Sequence, residues 1–176
     1  MRIELQEARD AFRDATYRLS MILQNPNAEQ PPLMAAENLA NRFQPVGQFI
    51  QAWGDMDDPE AYRFIVDCML NIPLLFWASE VTGDKKYYNA AYNHMHTSIS
   101  NIIRDDASSY HTFFLDPVTN KPLRGETHQG FSDESCWARG QAWIVSGLPL
   151  SYKYTKDEEM VELFEKVTNY FINHLP

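Results

Sequence analysis

Residues 79–99 read SEVTGDKKYYNAAYNHMHTSI, and residues 151–171 read SYKYTKDEEMVELFEKVTNYF. In each, one helical stretch closes, a Thr-x-Asp turn follows, and a second helix opens with apolar side chains at matching positions. That echo predicts a helical-hairpin repeat. Thr82-Gly83-Asp84 ends the first helix and caps the next, whose apolar positions are Tyr88, Ala91, Met95, Ile99 and Ile102. Lys156-Asp157 leads in the same way into a helix carrying Met160, Leu163, Phe164, Val167, Tyr170 and Phe171. Repeated pairs whose inner members are apolar all round are the pattern of an α/α toroid, in which loops at one end line a central cavity. The expected fold class is all-α.

Outward from the repeat, apolar spacing at Ala8, Phe12, Ala15, Leu19 and Ile22 predicts an amphipathic helix over Ile3 to Leu23, stopped by NPNAEQPP at 25–32. Pro32 opens a second helix through Met34, Ala35, Leu39 and Phe43. The stretch QPVGQFIQAWGDMDDP, 44–59, breaks the period and presents Trp53 on an irregular connection. Asp58-Pro59 suits the start of a third helix running toward Glu80, kinked near Pro73. From Arg104 to Gly130 helical periodicity fails, and a short hairpin or ordered loop with a DPVTNK turn at 116–121 is expected. Ser132 or Asp133 then caps a helix reaching about Tyr154. The 176 residues read as one domain.

With 44% hydrophobic and 13% aromatic residues the chain can bury a real core. The net charge of −9, with Lys and Arg scattered, argues against nucleic acid as a partner. It also requires any site for an anionic ligand to be locally positive. No apolar run is long enough for a membrane span, and MRIELQEARDAF is a charged, amphipathic start, so a cytoplasmic location is expected. Cys68 and Cys136 lack metal-ligand spacing and read as reduced thiols. His94 and His96, two apart on a helix, diverge, and no metal is expected.

Chemistry concentrates in HQGFSDESCWARGQAW, 128–143, which holds one histidine, two glutamines, adjacent acids, an arginine and two tryptophans. Indole faces suit sugar C–H surfaces and a guanidinium suits a carboxylate, so the stretch reads as the wall of a polar pocket. Trp137, Arg139, Gln141 and Trp143 alternate, so either a helix starts late, near Arg139, or only part of the set points inward. Core packing is the competing reading for each tryptophan. Asp133-Glu134 reads better as a helix first turn than as a catalytic pair. In FIVDCML, Asp67 is flanked by apolar residues, the setting in which burial keeps an acid able to donate a proton near neutral pH. A helix there puts Arg63, Asp67 and Asn71 on one stripe, and an ordinary Arg63–Asp67 ion pair is the competing reading.

Together with FIQAWGDMDDPE at 49–60 and FIVDCMLNIPLLFWA at 64–78, THQGFSDESCWARGQAW resembles the unsaturated glucuronyl hydrolases, glycoside hydrolase family 88, over Asn38 to Tyr154. The resemblance implies an (α/α)6 toroid, of which this chain has room for about three of six pairs. It implies hydrolysis of unsaturated uronyl disaccharides released by polysaccharide lyases, by hydration of a C4=C5 vinyl ether, with no cofactor. Asp67 matches the family's general acid/base. Trp53, His111, Gln129, Trp137, Arg139 and Trp143 take substrate-binding roles. The family's second essential aspartate, in a His-Asp-Leu-Gly-Phe type segment upstream, has no match. Asp10 and Asp14 lack its flanking pattern. A non-catalytic helical or partner-binding module, or a homo-oligomer covering open helical edges, is therefore the alternative.

Overall fold

The structure, a computed structural model, describes residues 30–175. The expected helix over Ile3 to Leu23, with Asp10 and Asp14, lies outside the described residues. The described elements run α1 (Gln30–Ala40), β1 (Phe43–Gln44), β2 (Phe49–Ile50), a 3-10 turn (Pro59–Ala61), β3 (Arg63–Ile65), α2 (Cys68–Thr82), α3 (Lys85–Ile102), β4 (Thr112–Leu115), β5 (Pro122–Glu126), α4 (Ala138–Thr155) and α5 (Glu159–Asn173).

Two helical hairpins, α2–α3 and α4–α5, form the body, joined where α2 packs on α4, and α1 packs against α2 and α3. Their turns are built alike. Gly83 takes a left-handed φ of 73° and its N–H donates to the Ser79 carbonyl at 2.9 Å, while Asp84 accepts from the Lys86 N–H at 2.9 Å. At the second turn Lys156, with φ 56°, donates to the Tyr152 carbonyl at 2.9 Å, and Asp157 accepts from the Glu159 N–H at 3.2 Å. One local rule thus reverses the chain twice. The α2 helix buries Cys68, Met69, Ile72, Leu75, Phe76 and Ala78 over about half its circumference, with Leu74 and Trp77 partly buried on the other side. A Cβ on Gly147 of α4 would lie 2.4 Å from the Met69 carbonyl oxygen, so α4 is in backbone contact with α2.

The helical expectation needs a correction where the strands lie. The predicted third helix does not start at Pro59: the chain makes one 3-10 turn, then β3, and turns helical only at Cys68. β3 joins β4 and β5 in an antiparallel sheet, with Phe64 opposite Phe113 and Phe114 opposite Arg124. Pairing to β4 fixes Arg63–Ile65 as strand, a long-range constraint that overrides the local apolar pattern. The expected hairpin is present: Asp116 accepts from the Val118 and Thr119 N–H groups at 3.0 and 2.6 Å and closes the DPVTNK turn. Phe43 belongs to β1 rather than to α1, and the helix expected from Ser132 starts at Ala138. Among the described residues, no helix is long and apolar enough to cross a membrane.

On one side of the sheet Tyr62, Phe49, Phe64 and Phe113 form a row of edge-on and tilted ring contacts at centroid spacings of 4.7 Å (Phe49–Tyr62), 5.1 Å (Phe49–Phe64) and 5.9 Å (Phe64–Phe113). Buried His94 ties this layer to α3 by accepting the Ile50 N–H at 2.8 Å.

Candidate active site

The ladder between β3 and β4 extends one residue past β3: the Val66 N–H donates to the His111 carbonyl at 2.9 Å. That bond sets Asp67 beside His111 at the strand-to-helix junction. Asp67 is the residue before α2, but its own φ and ψ, −55° and −31°, are helical, and its side chain caps nothing. The carboxylate is left uncommitted. Its Oδ2 lies 3.7 Å from His111 Nε2, with the aspartate side chain 32% exposed and the histidine 3%. That oxygen is itself buried and makes no hydrogen bond among the described residues.

His111 has one tautomer open to it. Nδ1 accepts from the His128 N–H at 3.0 Å and the Gln129 N–H at 3.3 Å, so the neutral ring carries its proton on Nε2, toward Asp67. Burial holds the imidazole below its ordinary value, partly offset by the Asp67 charge. Its ring lies 4.3 Å from Trp137, at 35°. Next to Asp67, burial and then the aspartate charge push the Cys68 thiol up to about 12, which removes it as a nucleophile.

Because α4 starts at Ala138, Trp137 stands just before the helix and Arg139 in its first turn. Both alternatives for the alternating set hold: the helix starts late, and only part of the set shares a face. Arg139 is exposed, its guanidinium 5.5 Å from the Trp137 ring. Trp143 follows four residues on, on the same face of α4. It is half-buried, and its indole N–H is buried without a partner among the described residues. Gln141 points the other way: Nε2 donates to the Ala107 and Val167 carbonyls at 2.9 and 3.2 Å, a structural cross-link. Gly140 lets α4 approach the site, since a Cβ there would sit 2.9 Å from Val66 Cγ1. Gln129 is exposed, its backbone held by His111. Trp53 lies 5.2 Å from the His128 ring, which continues the row toward His111.

Two expectations fail. Arg63 shares no helical stripe with Asp67 and Asn71, because it is in β3; its guanidinium lies 4.5 Å from the Trp53 ring and 5.3 Å from Phe114. Trp53 therefore has one part of its ring surface occupied by Arg63. Asp133 is no helix first-turn residue: its Oδ1 accepts the Thr127 N–H at 2.7 Å and closes the loop. Arg63 as a support for Trp53 has no sequence signal, since the two meet only through the sheet.

Among the described residues one cluster could hold a metal, His96, Asp157 and Glu159, whose ligand atoms lie within 4.8 Å of one another. It is where α3 meets the α4–α5 turn, and its His96–Asp157 contact of 3.2 Å is an ordinary ion-pair distance. The Asp67 site brings together one carboxylate, one imidazole and indoles, a set suited to moving a proton on a sugar held against aromatic faces.

The family model for Glycosyl Hydrolase Family 88 matches residues 25–176. The chain is 56% identical over 149 residues to an unsaturated chondroitin disaccharide hydrolase of Streptococcus pneumoniae, covering 85% of this chain and 38% of that protein. A crystal structure of an unsaturated glucuronyl hydrolase from Streptococcus agalactiae superposes with a TM-score of 0.84 at 51% identity, over 92% of this chain and 40% of that one. An aspartate variant of the Streptococcus agalactiae hydrolase, complexed with dGlcA-GalNAc6S, matches at 44% identity and a TM-score of 0.67, over 92% of this chain and 37% of that one. The chain spans about two fifths of the length of the curated relatives it matches.

Proposed function

Since the chain belongs to glycoside hydrolase family 88, we propose that it acts in hydrolysing unsaturated uronyl disaccharides, of the kind lyases release from chondroitin, hyaluronan or heparin-like chains, with Asp67 as general acid/base. The observation that carries this is the uncommitted Asp67 Oδ2 facing the Nε2–H of His111 at 3.7 Å. Protonated Asp67 gives its proton to C4 of the C4=C5 vinyl ether. Water adds at C5 and returns a proton to the Asp67 carboxylate. The resulting hemiketal collapses and frees the second sugar, with the acid regenerated. His111 steadies the carboxylate between the two transfers. Trp53, Trp137 and Trp143 offer ring faces, Arg139 pairs with substrate charge, and Gln129 contributes a side-chain amide at the mouth.

Loss of the ultraviolet absorbance of the C4=C5 bond in an unsaturated chondroitin disaccharide follows the reaction directly. Wild type consumes the absorbance, and Asp67→Asn slows it by about a thousandfold, the scale of a lost general acid/base. A wild-type chain inactive at high concentration, or an Asn variant as fast as wild type, sinks the reading. Self-association belongs to the same proposal, with Ile172 and Leu175, neighbours at the end of α5, 57% and 55% exposed. Sedimentation across a concentration series shows a rising mass if a second copy covers them, and a constant monomer mass if not.

A further inference from the structure

We propose that Arg104 is a positioning residue for the sugar-facing loop, residues 127–137, and sets disaccharide affinity through it; this rests on the hydrolase reading above. Arg104 stands just past the end of α3, and its guanidinium bonds in two directions. Nη1 donates to Ser108 Oγ at 3.1 Å and to the Ser109 carbonyl at 3.0 Å. Nη2 donates to the Asp133 carbonyl at 2.9 Å and the Ser135 carbonyl at 3.4 Å. The guanidinium carbon lies 3.8 Å from the Tyr110 ring centroid. One side chain therefore joins the segment that delivers His111 to the segment that delivers Trp137.

The loop has a second pin at its other end, where His111 Nδ1 accepts the His128 and Gln129 N–H groups at 3.0 and 3.3 Å. Between the pins it is closed on itself. Asp133 accepts from the Thr127 N–H at 2.7 Å, Thr127 Oγ1 from the Gly130 N–H at 2.7 Å, and Ser135 Oγ from the Ser132 N–H at 3.1 Å. Packing holds only the ends of this segment, with the His128 ring 5.2 Å from Trp53 and the Trp137 ring 4.3 Å from His111, while Gln129 and residues 131–134 are exposed, with Phe131 at 98%. Hydrogen bonds to its backbone thus order the stretch between those ends before substrate arrives, and ordering in advance raises affinity. Lysine cannot replace Arg104, because a compact ammonium has neither the planar fork that reaches both carbonyl groups nor the flat face for Tyr110.

The test uses the whole chain with Arg104→Lys and Arg104→Met. In both, amide hydrogen exchange across 127–137 speeds up by about tenfold or more while α2 and α3 exchange as in wild type. KM for unsaturated chondroitin disaccharide rises by about tenfold with kcat within about threefold of wild type, and the pH profile keeps its shape. Lys restores neither property. A merely structural role lowers the folded fraction, and so kcat, with KM unmoved. Unchanged exchange in the loop, an unchanged KM, or a Lys variant that matches wild type overturns the proposal. If the wild-type chain leaves the disaccharide untouched, the hydrolase reading falls, and the exchange measurement by itself decides the Arg104 clamp.

Discussion

At Ala107 the backbone takes φ 67°, in the left-handed region where a Cβ is crowded. The conformation is enforced from both sides: its N–H donates to the Arg104 carbonyl at 2.9 Å, and its carbonyl accepts Gln141 Nε2 at 2.9 Å. Ala107→Gly relieves the crowding at the expense of a more flexible unfolded chain, and the balance favours the variant by about 0.5 to 1 kcal/mol. Urea titration checks it, with Ala90→Gly, buried in the middle of α3, as a control expected to lose about 2 kcal/mol from helix propensity and the lost packing of its methyl group. A variant less stable than wild type at 107 refutes the argument. Asp67 shows how far residue-level reading of the sequence goes. Its apolar flanks marked it as unusual, but nothing in FIVDCML reveals that Val66 bonds to the His111 carbonyl, 45 positions further on. Its apolar flanks are local and can be read, whereas its geometry is set from a distance and cannot.

Elements whose ends are set by local chemistry were read correctly from the sequence. Gly83 and Asp84 at one turn, and Lys156 and Asp157 at the other, act within four residues of themselves, so their signals survive in the chain as written. Elements set by distant partners were not: β3 exists because Phe64 pairs with Phe113, and an apolar run of that length fits a helix equally well. The contact between α2 and α4 belongs to the same class. Gly147 is there because the Met69 carbonyl would lie 2.4 Å from a Cβ, and a carbonyl within a helix cannot swing aside as a side chain does. Gly147→Ala therefore gains helix propensity on paper yet loses stability, by about 2 kcal/mol, as α4 is forced off α2. Thermal unfolding followed by circular dichroism measures the loss. A variant with an unchanged or higher midpoint shows that the two inner helices separate more easily than their packing implies.

For the molecule as a whole, composition settled the large questions of a folded, acidic, core-forming chain, while its response to pH depends on burial that no sequence pattern displays. His94 is fully buried, and burial pushes its imidazole down to about 3. Its Nδ1 accepts the Ile50 N–H at 2.8 Å, so a proton there would face another donor. The unfolded chain has no such penalty and takes up that proton near its ordinary value of about 6.5. Between about 6.5 and 3 the unfolded state thus binds more protons than the folded one. The stabilisation from neutral His94 is complete above that window and is lost as pH falls through it, by up to about 1.4 kcal/mol per pH unit. His111, lowered in the same direction by burial, adds to the slope, whereas Glu37, Asp106, Asp116 and Glu162, all lowered carboxylates, act further toward acid. Urea unfolding between about pH 7.5 and about pH 5 therefore isolates the histidines. In His94→Gln, whose amide can still accept from Ile50, the loss over that interval shrinks and leaves the His111 share. Equal slopes in the two proteins mean that His94 carries its proton in the fold, and the tie between β2 and α3 is then not the acid-sensitive point of the molecule.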